Sequence, residues 1–213
     1  MRATATELPM FPLGSTLLPG ATLPLRIFEP RYIAMMDHCI GGEPRFGVVL
    51  IERGSEVGGG DVRTDAGVIA EIVDYRQSRG GTYSVFCQGS ERIRVDEWLV
   101  DDPYPRARVS AWPDQPVAAA DWETCRPQLQ SAVGDLLNCI QTLAARSGRH
   151  VALPQVTDAS LSPGEFTWAT AGSMPITEAD RYRALTAPDP ISRAQLLIDA
   201  MRDAESALRF RMQ

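Results

Sequence analysis

An α+β fold, strand-rich first and helical afterwards, is what the 213 residues predict. Three observations predict it. Residues 1–115 hold seven short runs that alternate apolar with polar residues or stay continuously apolar, separated by glycine-bearing turns. One amphipathic helix interrupts them early. Past Pro113 the apolar spacing changes from two to three and four, the repeat of a helix that buries one side.

The strand candidates follow in order. Leu8-Pro9-Met10-Phe11 is a short apolar segment, and 22–28 alternates around Leu23, Leu25 and Ile27. Phe46 to Ile51 is apolar throughout, as a strand buried on both faces would be. Residues 67–73, 82–87, 90–95 and 106–112 complete the set. Gly80-Gly81 suits a hairpin turn. So many short strands suggest a small closed barrel or a sandwich. The early helix begins at Glu29-Pro30, because proline fits a first helical position whose N–H has no partner and a carboxylate favours the positive helix start. Tyr32, Met35, Met36 and Cys39 then form one apolar stripe, and Gly41-Gly42 ends it.

Trp112-Pro113-Asp114-Gln115-Pro116 reads as a linker. A helix of roughly 20 residues follows, with Trp122, Cys125, Leu129, Val133, Leu136 and Ile140 on one stripe and Pro127 in its first turns or at a kink. Ser162-Pro163-Gly164-Glu165 has the form of a capping box. Thr177-x-x-Asp180 caps a short third helix and Asp189-Pro190 opens a fourth. None is long enough to be stable alone, so all must bury their apolar sides.

Composition excludes several function classes. All 21 basic residues are Arg and none is Lys. A P-loop, a Ser–Lys dyad and a Schiff base each need a lysine amine. Residues 1–115 carry 12 Arg against 16 acidic residues and 116–213 carry 9 against 11, with a net charge of −6. Neither half offers the positive stripe that nucleic acid needs, and the pairs Arg92-x-Arg94 and Arg106-x-Arg108 read as a solvated strand face. No apolar run approaches the about 18 residues of a membrane span, and none follows Arg2 as in a signal peptide, so a cytoplasmic location is expected. Cys39, Cys87, Cys125 and Cys139 are widely spaced. With only His38 and His150 beside them they make no metal set, and buried reduced thiols are expected. Neither metal nor cofactor is implied. Gly58-Gly59-Gly60 lacks the apolar helix and lysine of a phosphate cradle. Ser147 and His150 are near in sequence, but no G-x-S-x-G accompanies them and Asp101, Asp102 and Asp121 are unplaced carboxylates, so a hydrolase is disfavoured.

Six ordered segments carry a family resemblance. They are Leu8-Pro9-Met10-Phe11-Pro12-Leu13-Gly14 with Leu18-Pro19-Gly20; Ile27-Phe28-Glu29-Pro30-Arg31-Tyr32; Phe46 to Ile51; Gly67 to Ile72; Gly89-Ser90-Glu91-Arg92-Ile93; and Pro103-Tyr104. In order and spacing the chain resembles the amino-terminal, substrate-recognising domain of Lon proteases across most of residues 7 to 115. The resemblance implies a PUA-like β-barrel of six to seven strands with one helix over 1–115, and a helical subdomain of about four helices over 116–213. Full Lon proteases continue into an ATPase and a Ser–Lys peptidase, neither of which lies in these residues. A self-standing, non-catalytic module is therefore expected.

Such a module would recognise unfolded or tagged polypeptide, or a full-length protease, through an adaptable apolar or Met-rich surface. Leu17 and Leu18 in a glycine-bounded loop, with Met35 and Met36 on the helix, are the candidates, and the expectation is that some are unusually exposed. The motif Phe28-Glu29-Pro30-Arg31-Tyr32 reads mainly as scaffold: Phe28 packing into the barrel mouth, Pro30 starting the helix, Arg31 bonding nearby carbonyls. An alternative is a small-ligand or sensor module using a groove between barrel and helices, with Trp122 or Trp168 lining it.

Overall fold

A computed structural model describes residues 5–53, 62–154 and 160–210. It divides into two compact units, Met1–Pro113 and Asp114–Gln213. The glycine run at 58–60 lies outside the described residues.

The first unit holds six strands, β1 (Thr6–Leu13), β2 (Thr22–Ile27), β3 (Arg45–Arg53), β4 (Val62–Gln77), β5 (Tyr83–Trp98) and β6 (Arg106–Ala111), with helix α1 (Pro30–Gly41) between β2 and β3. They form one sheet in the order β2-β5-β4-β3-β1-β6, and β5 pairs additionally with β6. The pairing therefore returns on itself through β5, β4, β3, β1 and β6, leaving β2 attached to β5 alone. The core inside is built by Leu8, Met10, Val49, Ile69, Ile93, Val95, Ala107 and Val109.

Six strands, not the seven runs of the sequence, arise because 82–87 and 90–95 are one strand. Gly89 does not turn the chain between them. A Cβ at Gly89 would stand 2.4 Å from the Leu18 carbonyl oxygen, so glycine is there to let the 14–21 loop lie against the strand. Two backbone bonds fasten it, Gly20 N–H to Gly89 O and Gly89 N–H to Ala21 O, both 2.8 Å. The true turn is at Gly81, whose φ of +80° favours glycine. Arg92, expected on a solvated face, is 5% exposed. Its Nε donates to the Trp112 carbonyl at 2.9 Å and its guanidinium lies 4.4 Å from the Trp112 ring, which covers it.

The second unit is α2 (Ala119–Arg146), α3 (Pro163–Ser173), α4 (Glu178–Thr186) and α5 (Pro190–Phe210). α2 is 28 residues long and carries Pro127 in its interior. The capping box at Ser162 is present, with Ser162 N–H donating to Glu165 Oε2 at 2.9 Å and Glu165 N–H to Ser162 Oγ at 3.4 Å. Thr177 accepts from Asp180 N–H, and Asp189 accepts from the N–H groups of Ile191 and Ser192. The segment read as a linker is tied down: Trp112 N–H bonds Arg92 O in the first unit, and Gln115 N–H bonds Pro188 O in the second. No described helix is long and apolar enough to cross a membrane.

Candidate recognition surface

The four residues expected to form a binding surface are core. Leu17 and Leu18 are 7% and 2% exposed, and Met35 and Met36 are 0% exposed. The leucines are buried because their loop is pinned to Gly89. The methionines are buried because they share the inward stripe of α1 with Tyr32 and Cys39. The scaffold motif divides. Tyr32 stacks on Phe11 with ring centroids 4.3 Å apart, Pro30 opens α1, and Arg31 Nε donates to Glu29 Oε2 at 3.0 Å while its guanidinium lies over the Tyr32 ring. Phe28 does not pack inward: it is 57% exposed.

Strand alternation explains which apolar residues face outward. In β5 the side chains of Tyr83, Val85 and Cys87 are buried, while Ser84, Phe86 and Gln88 between them are exposed. In β2, Leu23, Leu25 and Ile27 point inward, while Thr22, Pro24 and Arg26 are exposed. Phe28 follows Arg26 by two residues. β4 has a register shift between Ile72 and Asp74, which leaves Val73 without a partner. Beyond it, Asp74 stands opposite Phe86 and Arg76 opposite Ser84. Pro24 faces Phe86 and Arg26 faces Ser84 from the other side. The outer face of β2-β5-β4 thus has an apolar row, Pro24–Phe86, and beside it a polar row, Arg26–Ser84–Arg76. Phe86 is 44% exposed and Val73 61% exposed. A shallow hollow of about 540 Å³ on this face is lined by both rows.

The opposite face is braced. Tyr83 Oη donates to Asp37 Oδ1 on α1 at 2.6 Å, and that bond, with burial, holds the phenol up at about 12. The Tyr104 hydroxyl meets His38 Nδ1 at 2.8 Å. Burial pushes the Cys39 thiol up to about 11 and, with the nearby Cys39, the Cys87 thiol up to about 12. All four cysteines are free and buried, and the raised thiols of Cys39 and Cys87 are protonated packing groups at neutral pH.

Three others of the residues singled out from sequence, Ser147, Trp122 and Trp168, have structural partners. Ser147 Oγ donates to the Leu143 carbonyl at 3.0 Å, closing the end of α2. Trp122 is buried with its ring 5.9 Å from Phe166, and Trp168 lies under the Arg193 guanidinium. Among the described residues no group of three or more His, Cys, Asp or Glu is placed to hold a metal. The signal that sequence reading passed over was phase. Phe86 and Phe28 are the apolar residues that fall on the polar beat of otherwise alternating runs.

The family described as the ATP-dependent protease La (LON) substrate-binding domain matches residues 7–203. A Lon protease of Anaeromyxobacter dehalogenans is 24% identical over 95% of this chain, which spans 24% of that protein. A LON peptidase N-terminal domain and RING finger protein of Schizosaccharomyces pombe is 24% identical over 88% of the chain and 44% of its own length. A Lon N-terminal domain protein from Xanthomonas campestris superposes with a TM-score of 0.61 at 28% identity, covering 91% of this chain and 98% of that one. The N-terminal domain of a Mycobacterium avium complex Lon protease shares the fold, with a TM-score of 0.64 at 18% identity.

Proposed function

Because the chain belongs to the LON substrate-binding domain family, we propose that it is a non-catalytic module recognising unfolded or tagged polypeptide, accessory to ATP-dependent proteolysis in the cytoplasm. In this reading residues 1–115 are a PUA-like barrel that carries the recognition surface, and 116–213 are its helical companion. Support for a barrel comes from the pairing of β5 with both β4 and β6. The match covers a substrate-binding domain, and the chain spans about a quarter of the length of the Lon protease it resembles.

The observation that carries the proposal is the outward placement of Phe86 and Phe28 on or beside β2-β5-β4. A large aromatic left half in water forgoes about 1 kcal/mol or more of burial, which a bound apolar segment restores. Folded proteins hide such segments and unfolded ones present them. The test is a titration of the purified chain with a reduced, alkylated and therefore unfolded protein, and with the same protein folded, read by fluorescence anisotropy. Saturable binding to the unfolded form alone is expected, and Phe28→Ser with Phe86→Ser should weaken it by about tenfold or more. Equal binding of both forms, or of neither, defeats the proposal.

A further inference from the structure

The polar row beside Phe86 gives the same surface a second chemistry. Arg26 and Arg76 stand opposite the same residue, Ser84, one on each neighbouring strand. Their backbones are two strand spacings apart, about 10 Å, and alternation places both side chains on the exposed face with Ser84 between them. Among the described residues, arginines pair with carboxylates within a few residues or on a neighbouring strand, as Arg45–Glu43, Arg106–Glu7 and Arg108–Glu97 do. Arg26, Arg76 and the Ser84 hydroxyl have no side-chain hydrogen bond or ion pair among the described residues. Asp74 is two residues from Arg76 on the same face, yet it forms no ion pair with either arginine.

We infer that Arg26, Ser84 and Arg76 form a carboxylate clamp that selects polypeptide segments carrying an acidic side chain two residues from an apolar one. The occupant follows from charge and spacing. Two arginines flanking one hydroxyl on the same exposed face supply donors for a single carboxylate and repel a basic side chain. The apolar row Pro24–Phe86 lies two residues along β5 from the clamp, about 7 Å. An extended segment repeats on one face at that distance, so an aromatic or aliphatic side chain on Phe86 sets a residue two positions away over Ser84. Asp74, beside Phe86, repels a second carboxylate there and fixes the acidic end of the segment toward the clamp. The hollow contains both rows.

This inference rests on the reading of the chain as a polypeptide recogniser, and the test separates the two. A labelled peptide with phenylalanine and glutamate two residues apart in a Gly/Ser background is titrated against the chain, beside its glutamine counterpart and the unfolded protein used above. The glutamate peptide should bind about tenfold tighter at low salt. That preference should fall to less than about twofold at 1 M salt, where surface charges are screened. R26Q/R76Q, whose fold is checked by circular dichroism, should lose the preference while keeping its binding of the glutamine peptide. F86S should weaken both peptides alike. Equal affinity of the two peptides overturns the clamp and leaves the recognition reading standing. So does a preference that survives R26Q/R76Q, or binding of the unfolded protein but of neither peptide. Failure of peptides and unfolded protein together defeats both.

Discussion

The guanidinium of Arg193, on α5, is fully buried. Both carboxylate oxygens of Asp114 accept from it, Thr167 Oγ1 lies 2.9 Å from Nη1, the Ala184 carbonyl 3.3 Å from Nε, and the Trp168 ring centre 3.2 Å from its central carbon. Burial alone lowers its pKa, and the bond to Asp114 opposes that. A planar fork suits this arrangement as a lysine ammonium would not. A single sequence position, just past Pro113, therefore supplies the counter-charge for a side chain 79 residues away. Asp114→Asn should destabilise the helical unit by about 3 kcal/mol, because it strands a buried charge. Urea denaturation followed by tryptophan fluorescence measures this. A loss below about 1 kcal/mol would mean that Thr167, Ala184 and Trp168 suffice to hold the charge.

At the scale of elements, two glycines illustrate opposite constraints. Gly89 in β5 faces the Leu18 backbone too closely for any side chain, and backbone cannot step aside as a flexible side chain could. Gly134 lies in the middle of α2 with nothing within 4 Å of a Cβ. Gly89→Ala should therefore lower stability by about 2 kcal/mol or more through overpacking. Gly134→Ala should raise it by about 0.5–1 kcal/mol through helix propensity. Thermal midpoints moving in the same direction for both would refute the account. The same elements show what the sequence could reveal. Helix starts at Pro30, Ser162, Thr177 and Asp189 were legible because capping is local chemistry. The inward stripe of α1 was equally legible, and it is the stripe, not the flexibility of methionine, that decides where Met35 and Met36 go. The burial of Leu17 and Leu18 was not legible, because it depends on Gly89, some seventy residues onward by the numbering. The proposed recognition surface was half legible: Phe86 and Phe28 stand out of phase, but the placing of Arg26 and Arg76 on either side of Ser84 requires the register of three strands.

At the scale of the whole molecule, buried proton-bearing groups set how stability responds to alkali. Cys39 is raised from 9.0 to about 11 and Cys87 from 9.0 to about 12, both chiefly by burial. Tyr83 is raised from 10.0 to about 12, chiefly by its hydrogen bond to Asp37. Burial also raises Tyr104 in the first unit and Cys125 in the second. In each case the folded state holds its proton more tightly than the unfolded chain does. Between the ordinary and the raised values the unfolded chain has lost protons that the folded chain keeps, so stability falls as pH rises. The contribution is whole below pH 9, where both states are protonated, and is gone above about pH 12. Urea midpoints should accordingly stay level through neutral pH and decline from about pH 9 upward. Since four of these groups lie in the first unit, C39A/C87A should flatten the decline between pH 9 and 11 even though its midpoint at neutral pH is lower. A wild-type midpoint that stays level to pH 11, or a double variant with the same slope, would show that these thiols titrate in the folded protein as they do in the open chain.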